Sequence, residues 1–363
     1  MDSYERFVRV LNFEEPDRVP TLDSIRSPRI VREIGGTGPA EEAVPRAHSA
    51  LGLDVAYGGV GAATASIGEE PPSTWMSEYY SLGLVVCEKP FTFRWDPATQ
   101  TTWVIDRPFK NLDDLHNIGI EPLPEDKIVA EQTSEFLRSK KAYEKYGVVY
   151  IGYGGSVLET SYRMLGFRLF AQALLREKDR LRKLIEKIAS PASAYVRSYA
   201  KARIGPAFVY GDDIAGKNGL LFNPDFLKND WLPIVRKIVQ PLTEAGIKII
   251  YHSEGNTESM LSDLIDAGFE GLWPVEPAVM DIAEIKRKYG EEIVLIGGVD
   301  NHYLLQHGSP EEVERQARES IEKAAPGSGF CLSTDELNPD TPIINAIAAY
   351  RAARNYGVYP IGA

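Results

Sequence analysis

Eight apolar runs recur along the chain at long spacing, and the segments between them carry helical periodicity. The runs are "RVPTLDSI" (18–25), "DVAYGGVG" (54–61), "GVVYIGYGG" (147–155), "AFVYGDDI" (207–214), "IKIIYHSEG" (247–255), "FEGLWPVE" (269–276), "EIVLIGGVD" (292–300) and "GFCLSTDE" (329–336). Most are continuous rather than alternating, the pattern of strands covered on both faces of a parallel sheet. Between them, "NTESMLSDLIDAG" sets Met260, Leu261, Leu264 and Ile265 at helical spacing and stops at Gly268. "PAVMDIAEIKRKYG" ends at Gly290 after basic residues. "SPEEVERQARESIEKAAPG" opens with Ser309 as N-cap and Pro310 at the first helical position. The last helix, "DTPIINAIAAYRAARNYG", takes Asp340 or Thr341 as its cap and ends at Gly357. Eight strands, each followed by a helix, predict one (β/α)8 barrel domain over residues 1–363. An open doubly wound sheet is the alternative, but no G-x-G-x-x-G follows any of the runs.

One region departs from the repeat. "GLVVCEKPFTFRWDPATQTTWVIDRP" (83–108) alternates and carries a turn at Asp96 and Pro97, which predicts a β-hairpin inserted after the second strand. Such an insertion lies on a rim, where it can form part of a lid.

Composition narrows the partners. Apolar residues make up 44 % and charged residues 25 % of the 363, a soluble globular mix. No apolar run approaches the roughly 18 to 20 residues that cross a bilayer. The charged, amphipathic start lacks the apolar core and cleavage site of a signal peptide. Cys87 and Cys331 are the two cysteines, which excludes a disulfide framework and fits a reducing cytoplasm. The formal net charge of −12 argues against nucleic acid or an anionic membrane as the main partner.

In parallel barrels the C-terminal strand ends hold the active site. Here they are polar: Asp23, Tyr57, Tyr153, Asp212 and Asp213, His252 and Glu254, Trp273 and Glu276, Asp300, and Asp335 with Glu336. His252 and Glu254 stand at i and i+2 on a strand and so share a face. Imidazole plus carboxylate suits Zn²⁺, and Asp335 is the third candidate ligand, with Glu336 and Cys331 as alternatives. The competing reading is a hydrogen-bonded strand-end histidine and a Glu254 that caps the next helix. In "YGDDIAG", adjacent strand residues face opposite ways, so one of Asp212 and Asp213 faces the mouth and the other bonds loop amides. Asp23 has Arg26 and Arg29 nearby, and a plain salt bridge is its structural reading. His48 and His116 read as surface residues, and His302 and His307 as part of the helix after the seventh strand. Cys331 reads as a small core residue.

Longer segments carry a resemblance. "RFVRVLNFEEPDRVP", "YGDDIAGKNGLLFNPDFL", "YHSEGNTESMLSDLIDAGFEGLWPVEP", "DIAEIKRKYGEEIVLIGGVDN" and "TPIINAIAAYRAAR" resemble the uroporphyrinogen decarboxylase superfamily, in order and spacing, over nearly the whole chain. The resemblance implies a (β/α)8 barrel. True decarboxylases of that superfamily carry an Arg-Gln-Ala-Gly-Arg segment after the first strand, whose arginines bind substrate carboxylates. The corresponding region here reads "DSIRSPRIVREIGG", without that motif. The corrinoid-dependent methyltransferases carry His-x-Cys on the fifth strand and a distal Cys before the last helix, which together bind zinc. The matching positions are His252, Glu254 and Asp335, so both thiolates are carboxylates here. A harder ligand set leaves a metal a stronger Lewis acid, suited to polarising an oxygen or nitrogen leaving group.

The resulting expectation is a methyltransferase that moves a methyl group from a small methylated substrate to the cobalt of a separate corrinoid protein, assisted by zinc on His252, Glu254 and Asp335. Asp212, Asp213 and Glu254 are the catalytic candidates, and Asp23, Tyr57, Tyr153 and Trp273 the substrate-binding ones. Tyr57, Trp75, Tyr79, Tyr80 and Trp95 suit an aryl methyl ether, hence O-demethylation. A homodimer is compatible with this reading. The alternative activity is cofactor-independent decarboxylation of a small acid or tetrapyrrole.

Overall fold

A computed structural model describes residues 1–59, 72–80, 84–97 and 101–361. Eight parallel strands form one sheet in chain order: β1 (Leu22–Asp23), β2 (Val55–Tyr57), β3 (Val149–Gly154), β4 (Ala207–Gly211), β5 (Lys248–His252), β6 (Gly271–Val275), β7 (Val294–Gly298) and β8 (Phe330–Ser333). The sheet closes where Thr21 bridges Leu332 and Ile25 bridges Leu337, both parallel. All eight strands fall within the apolar runs, and the fold is the (β/α)8 barrel expected. No helix among the described residues is long and apolar enough to cross a membrane.

The strands are continuous apolar runs because both faces are covered. Inward, Leu22, Ile151, Val209, Ile250, Ile296 and Cys331 fill the barrel. Outward, residues such as Phe208, Tyr251 and Leu295 pack under the helices. The amphipathic helix Ser3–Leu11, capped by Asp2, adds Phe7, Val10 and Leu11 to the barrel interior. It plugs the N-terminal end, where Arg6 meets Asp54 at 2.7 Å and Arg18 Nη1 meets the same carboxylate at 2.8 Å. Each fully buried aliphatic or aromatic side chain there contributes about 2 kcal/mol of transfer free energy. With the bottom closed, the mouth at the C-terminal strand ends is the open side.

The hairpin expected over 83–108 is present: strands Val85–Asp96 and Thr101–Asp106 pair antiparallel. It is part of a larger inserted sheet, with Thr74–Tyr80 and Ile120–Pro122 also on strand Val85–Asp96. Trp75 stacks on Phe93 at 5.6 Å, and Tyr80 packs against Phe91 at 5.1 Å, so these rings build the insertion's own core. Pro310–Ala324 starts with a full capping box of Ser309 and Glu312. The last helix begins at Ile343, after Pro342, without the side-chain cap expected from Asp340 or Thr341. His48 is also not at the surface: it is buried, edge-on to Tyr143 at 5.2 Å, with Nδ1 2.9 Å from the Val44 carbonyl.

Candidate active site

A cavity of about 410 Å³ opens at the C-terminal mouth. Of the polar strand ends, Tyr57, Tyr153, Asp213, His252, Glu254, Trp273, Asp335 and Glu336 line it. Trp95 reaches it from the inserted sheet, so the insertion contributes to the wall. Asp23 and Asp212 stand outside that lining.

The floor is aromatic. Tyr57 lies 4.4 Å from Trp273 and 5.8 Å from Tyr153, centroid to centroid. His252 sits 4.5 Å from Trp273 and 5.5 Å from Tyr153. Burial holds the His252 imidazole below its ordinary pKa, so the ring is neutral at pH 7. Its buried Nδ1 has no hydrogen-bond partner among the described residues, and neither has Trp95 Nε1.

The paired aspartates divide as strand alternation requires. Asp212 points away from the cavity and accepts six hydrogen bonds. These come from Ser156 Oγ (2.8 Å), the amides of Val157 (3.2 Å), Leu158 (3.1 Å) and Glu159 (2.7 Å), Tyr210 Oη (2.8 Å) and Trp231 Nε1 (2.8 Å). It thereby satisfies the exposed amides at the start of helix Leu158–Leu165. That helix carries Glu159 and Arg163 into the cavity, paired at 2.9 Å. Asp213 faces the cavity and accepts the Glu254 amide at 2.9 Å. Burial pushes the Asp213 carboxyl up to about 6, and burial with the nearby Asp213 charge pushes Glu159 to about 7.

Asp335 and Glu254 both line the cavity, and each carboxyl shifts the other's ionisation. Burial first, then the Glu254 charge, pushes Asp335 well above the usual carboxylate range. Glu254 is held down to about 2 despite its burial, by His302 and then His252. Of the two, Asp335 therefore takes up a proton more readily than Glu254. Asp335 sits at φ 72°, a left-handed conformation uncommon for non-glycine residues and seen at functional sites. Three contacts hold it there. Its amide donates to Ser333 Oγ at 2.9 Å, Tyr57 Oη donates to its carbonyl at 3.2 Å, and Asn301 Nδ2 donates to its carboxyl at 3.4 Å.

Asp23 lies behind this group. It is fully buried and accepts from Ser333 Oγ (3.0 Å), the Thr334 amide (2.8 Å), Thr334 Oγ1 (3.3 Å) and Tyr350 Oη (2.8 Å). Ser333 Oγ itself accepts from Trp273 Nε1 at 3.1 Å and from the Asp335 amide, so its proton goes to Asp23. Asp23 thus positions both Trp273 and Asp335 through one serine. The salt bridge expected between Asp23 and Arg26 or Arg29 is not formed. Arg26 pairs with Glu336 at 3.1 Å, and Arg29 donates to the Thr341 carbonyl at 2.9 Å.

A second cluster adjoins Glu254. Single ligand atoms of Glu254, Glu276 and His302 all lie within 4.8 Å of one another. His302 Nε2 stands 3.1 Å from Glu276 and 3.7 Å from Glu254. The neighbouring Glu254 and Glu276 carboxylates raise His302 to about 9. Two carboxylates and an imidazole fit a divalent cation by donor type and spread. Of His252, Glu254 and Asp335, only Glu254 belongs to that set. His302, which reads as a helix residue in the sequence, precedes helix Leu304–His307 and turns its ring to Glu276. Cys331 lies in the barrel interior, away from both groups.

A model described as Uroporphyrinogen decarboxylase (URO-D) matches residues 84–356. The chain belongs to the uroporphyrinogen decarboxylase family. Within it, similarity falls on the corrinoid methyltransferase side. Methylcobamide:CoM methyltransferase MtaA of Methanosarcina barkeri is 25 % identical over 198 residues, 53 % of this chain and 53 % of that protein. Methylcobamide:CoM methyltransferase MtbA of Methanosarcina mazei is 25 % identical over 138 residues, 38 % of each. The chain spans about half the length of the curated relatives it matches first. Among solved structures, a methyltransferase from Methanosarcina mazei superposes with a TM-score of 0.71 at 19 % identity, over 98 % of this chain and 99 % of that one. A B12-independent methionine synthase from Shewanella sp. W3-18-1 superposes with a TM-score of 0.54 at 11 % identity, over 93 % and 96 %. These structural likenesses establish the barrel.

Proposed function

We propose that this chain is a methyltransferase that binds a small methylated donor in the barrel mouth and passes the methyl group to cobalt(I) of a corrinoid carried by a separate protein. The observation that carries this reading is the Glu254–Asp335 pair above the aromatic floor, in a chain whose sequence relatives are methylcobamide methyltransferases. The corrinoid is the second substrate, presented over the open mouth.

The residues divide the work. Tyr57, Tyr153 and Trp273 orient the donor against the floor. Asp335, the more readily protonated of the pair, can donate a proton to a leaving oxygen, with Glu254 beside it to hold that proton in place. This serves O-demethylation of an aryl methyl ether, whose ring the floor accommodates. A donor methylated on a cationic nitrogen needs no such proton, and the same carboxyls then act by charge. Zinc held by Glu254, Glu276 and His302 would supply Lewis-acid polarisation of the leaving atom.

Decarboxylation of a small acid or tetrapyrrole is the competing activity. It needs cationic groups for substrate carboxylates, and Arg26 and Arg163 already face Glu336 and Glu159. The deciding experiment mixes the purified chain with cob(I)alamin and a panel of methyl ethers, methylamines and quaternary ammonium compounds. Methyl-cobalt formation is followed by absorbance. Transfer from at least one donor supports the proposal. No transfer from any, with carbon dioxide released from one of a panel of small acids, would overturn it.

A further inference from the structure

The charge on the cavity wall distinguishes donor classes. Five carboxyl groups line it: Glu159, Asp213, Glu254, Asp335 and Glu336. Two guanidinium groups do so, and each already faces a carboxylate, Arg26 on Glu336 and Arg163 on Glu159. Asp213 then faces no guanidinium, Asp335 is the more readily protonated of its pair, and Glu254 is met by His302 from outside the lining. His302, 3.7 Å from Glu254, is not among the residues that line the cavity. His252 lies in the lining.

The floor has the matching chemistry. A cation is attracted to aromatic faces within about 6 Å of the ring centroid, and most strongly to indoles. Tyr57, Tyr153, Trp273 and Trp95 all line the cavity. Two buried polar atoms on the same wall, His252 Nδ1 and Trp95 Nε1, have no partner among the described residues. Both residues are 9 % exposed.

We infer that the methyl donor is a methylated ammonium cation, seated over Tyr57 and Tyr153 with its charge toward Asp213 and Glu254. This rests on the methyl-transfer reading above and narrows its substrate. The chemistry balances without an acid. The nitrogen–methyl bond breaks with its electron pair kept by nitrogen, so the donor leaves as a neutral amine. Cobalt(I) of the partner's corrinoid supplies the pair for the new bond and becomes cobalt(III). No proton moves.

The test separates this inference from the reading beneath it. Choline and 3,3-dimethylbutan-1-ol have the same shape and differ in the charge on the quaternary centre. Isothermal titration of the purified chain should give choline about tenfold tighter binding or better. Asp213→Asn should weaken choline severalfold and leave the neutral alcohol unchanged. Equal or tighter binding of the neutral alcohol, or binding of neither, would overturn the inference. The same preparation is then assayed with cob(I)alamin and either choline or methoxybenzene. Selective choline binding with no transfer from any donor upholds the cation site and overturns the methyltransferase reading. Transfer from methoxybenzene, with choline inert and unbound, overturns the cation site and leaves the methyltransferase reading standing.

Discussion

Asp212 and Asp213 are neighbours in sequence with opposite expected responses to substitution. Replacing Asp212 with alanine removes the acceptor of six hydrogen bonds. Two of the orphaned donors, Tyr210 Oη and Trp231 Nε1, belong to fully buried side chains. Each unsatisfied buried donor costs about 1–3 kcal/mol. Loss of the acceptor at the start of helix Leu158–Leu165 adds about 1 kcal/mol, the usual cost of a lost N-terminal cap. Water entering the vacated space recovers part of this, so the expected destabilisation is about 4 kcal/mol, at the upper end for a single substitution. Asp212→Asn should cost about half as much, because the amide retains one oxygen and turns an N–H₂ toward donors. Asp213→Asn removes the charge but keeps an acceptor for the Glu254 amide, and should stay within about 1 kcal/mol of wild type. Urea denaturation followed by circular dichroism measures all three, with the slope against urea checked for constancy. A loss below about 1.5 kcal/mol for Asp212→Ala, or a larger loss for Asp213→Asn, would refute the division of roles.

Further expectations concern chemistry, pH and the closed end of the barrel. Glu254→Gln should lower kcat/KM for methyl transfer about a hundredfold with the fold intact, measured by steady-state kinetics and circular dichroism. Burial raises the Asp23 carboxyl from 3.8 to about 7, so the folded chain takes up a proton there before the unfolded one does. The resulting stability is fully present below the unfolded value and is lost as pH rises through about 7. Relative to Asp23→Asn, wild type should therefore lose up to about 4 kcal/mol between pH 4 and pH 7 in denaturation series. A flat difference between the two would contradict the burial argument. Asp54→Ala leaves the buried Arg6 and its neighbour Arg18 short of a carboxylate and should cost about 3 kcal/mol, while kcat of the folded fraction is unchanged.

The barrel was legible because its strands are buried on both faces, which writes them as continuous apolar runs. The mouth followed from position, since polar residues at C-terminal strand ends have nowhere else to point. Strand alternation even foretold that one of Asp212 and Asp213 bonds loop amides, though not which. Local pattern carried less about groups brought together by loops. Glu159 and Arg163 enter the cavity from a helix whose start is fixed by Asp212, some 50 residues away in sequence. The only sequence signal was an acid and an arginine four apart, the commonest of surface helix pairs. His302 looks helical by neighbourhood, yet the turn at Asp300 accepts its amide and directs its ring toward Glu276. Asp23 shows the converse. Its nearby arginines suggest an ion pair, while burial and four hydroxyl or amide donors give it a positioning role. Strand Thr74–Tyr80 was missed because its polar-rich alternation lacks a buried face strong enough to stand out.

The central claim is that the barrel mouth delivers a methyl group to a corrinoid. Stopped-flow absorbance of cob(I)alamin with the purified chain and a methylated donor tests it directly. Methyl-cobalamin should form at a rate that saturates with donor and falls about a hundredfold in Glu254→Gln. Formation at the same rate without the chain, or no formation with any ether or ammonium donor, would contradict it.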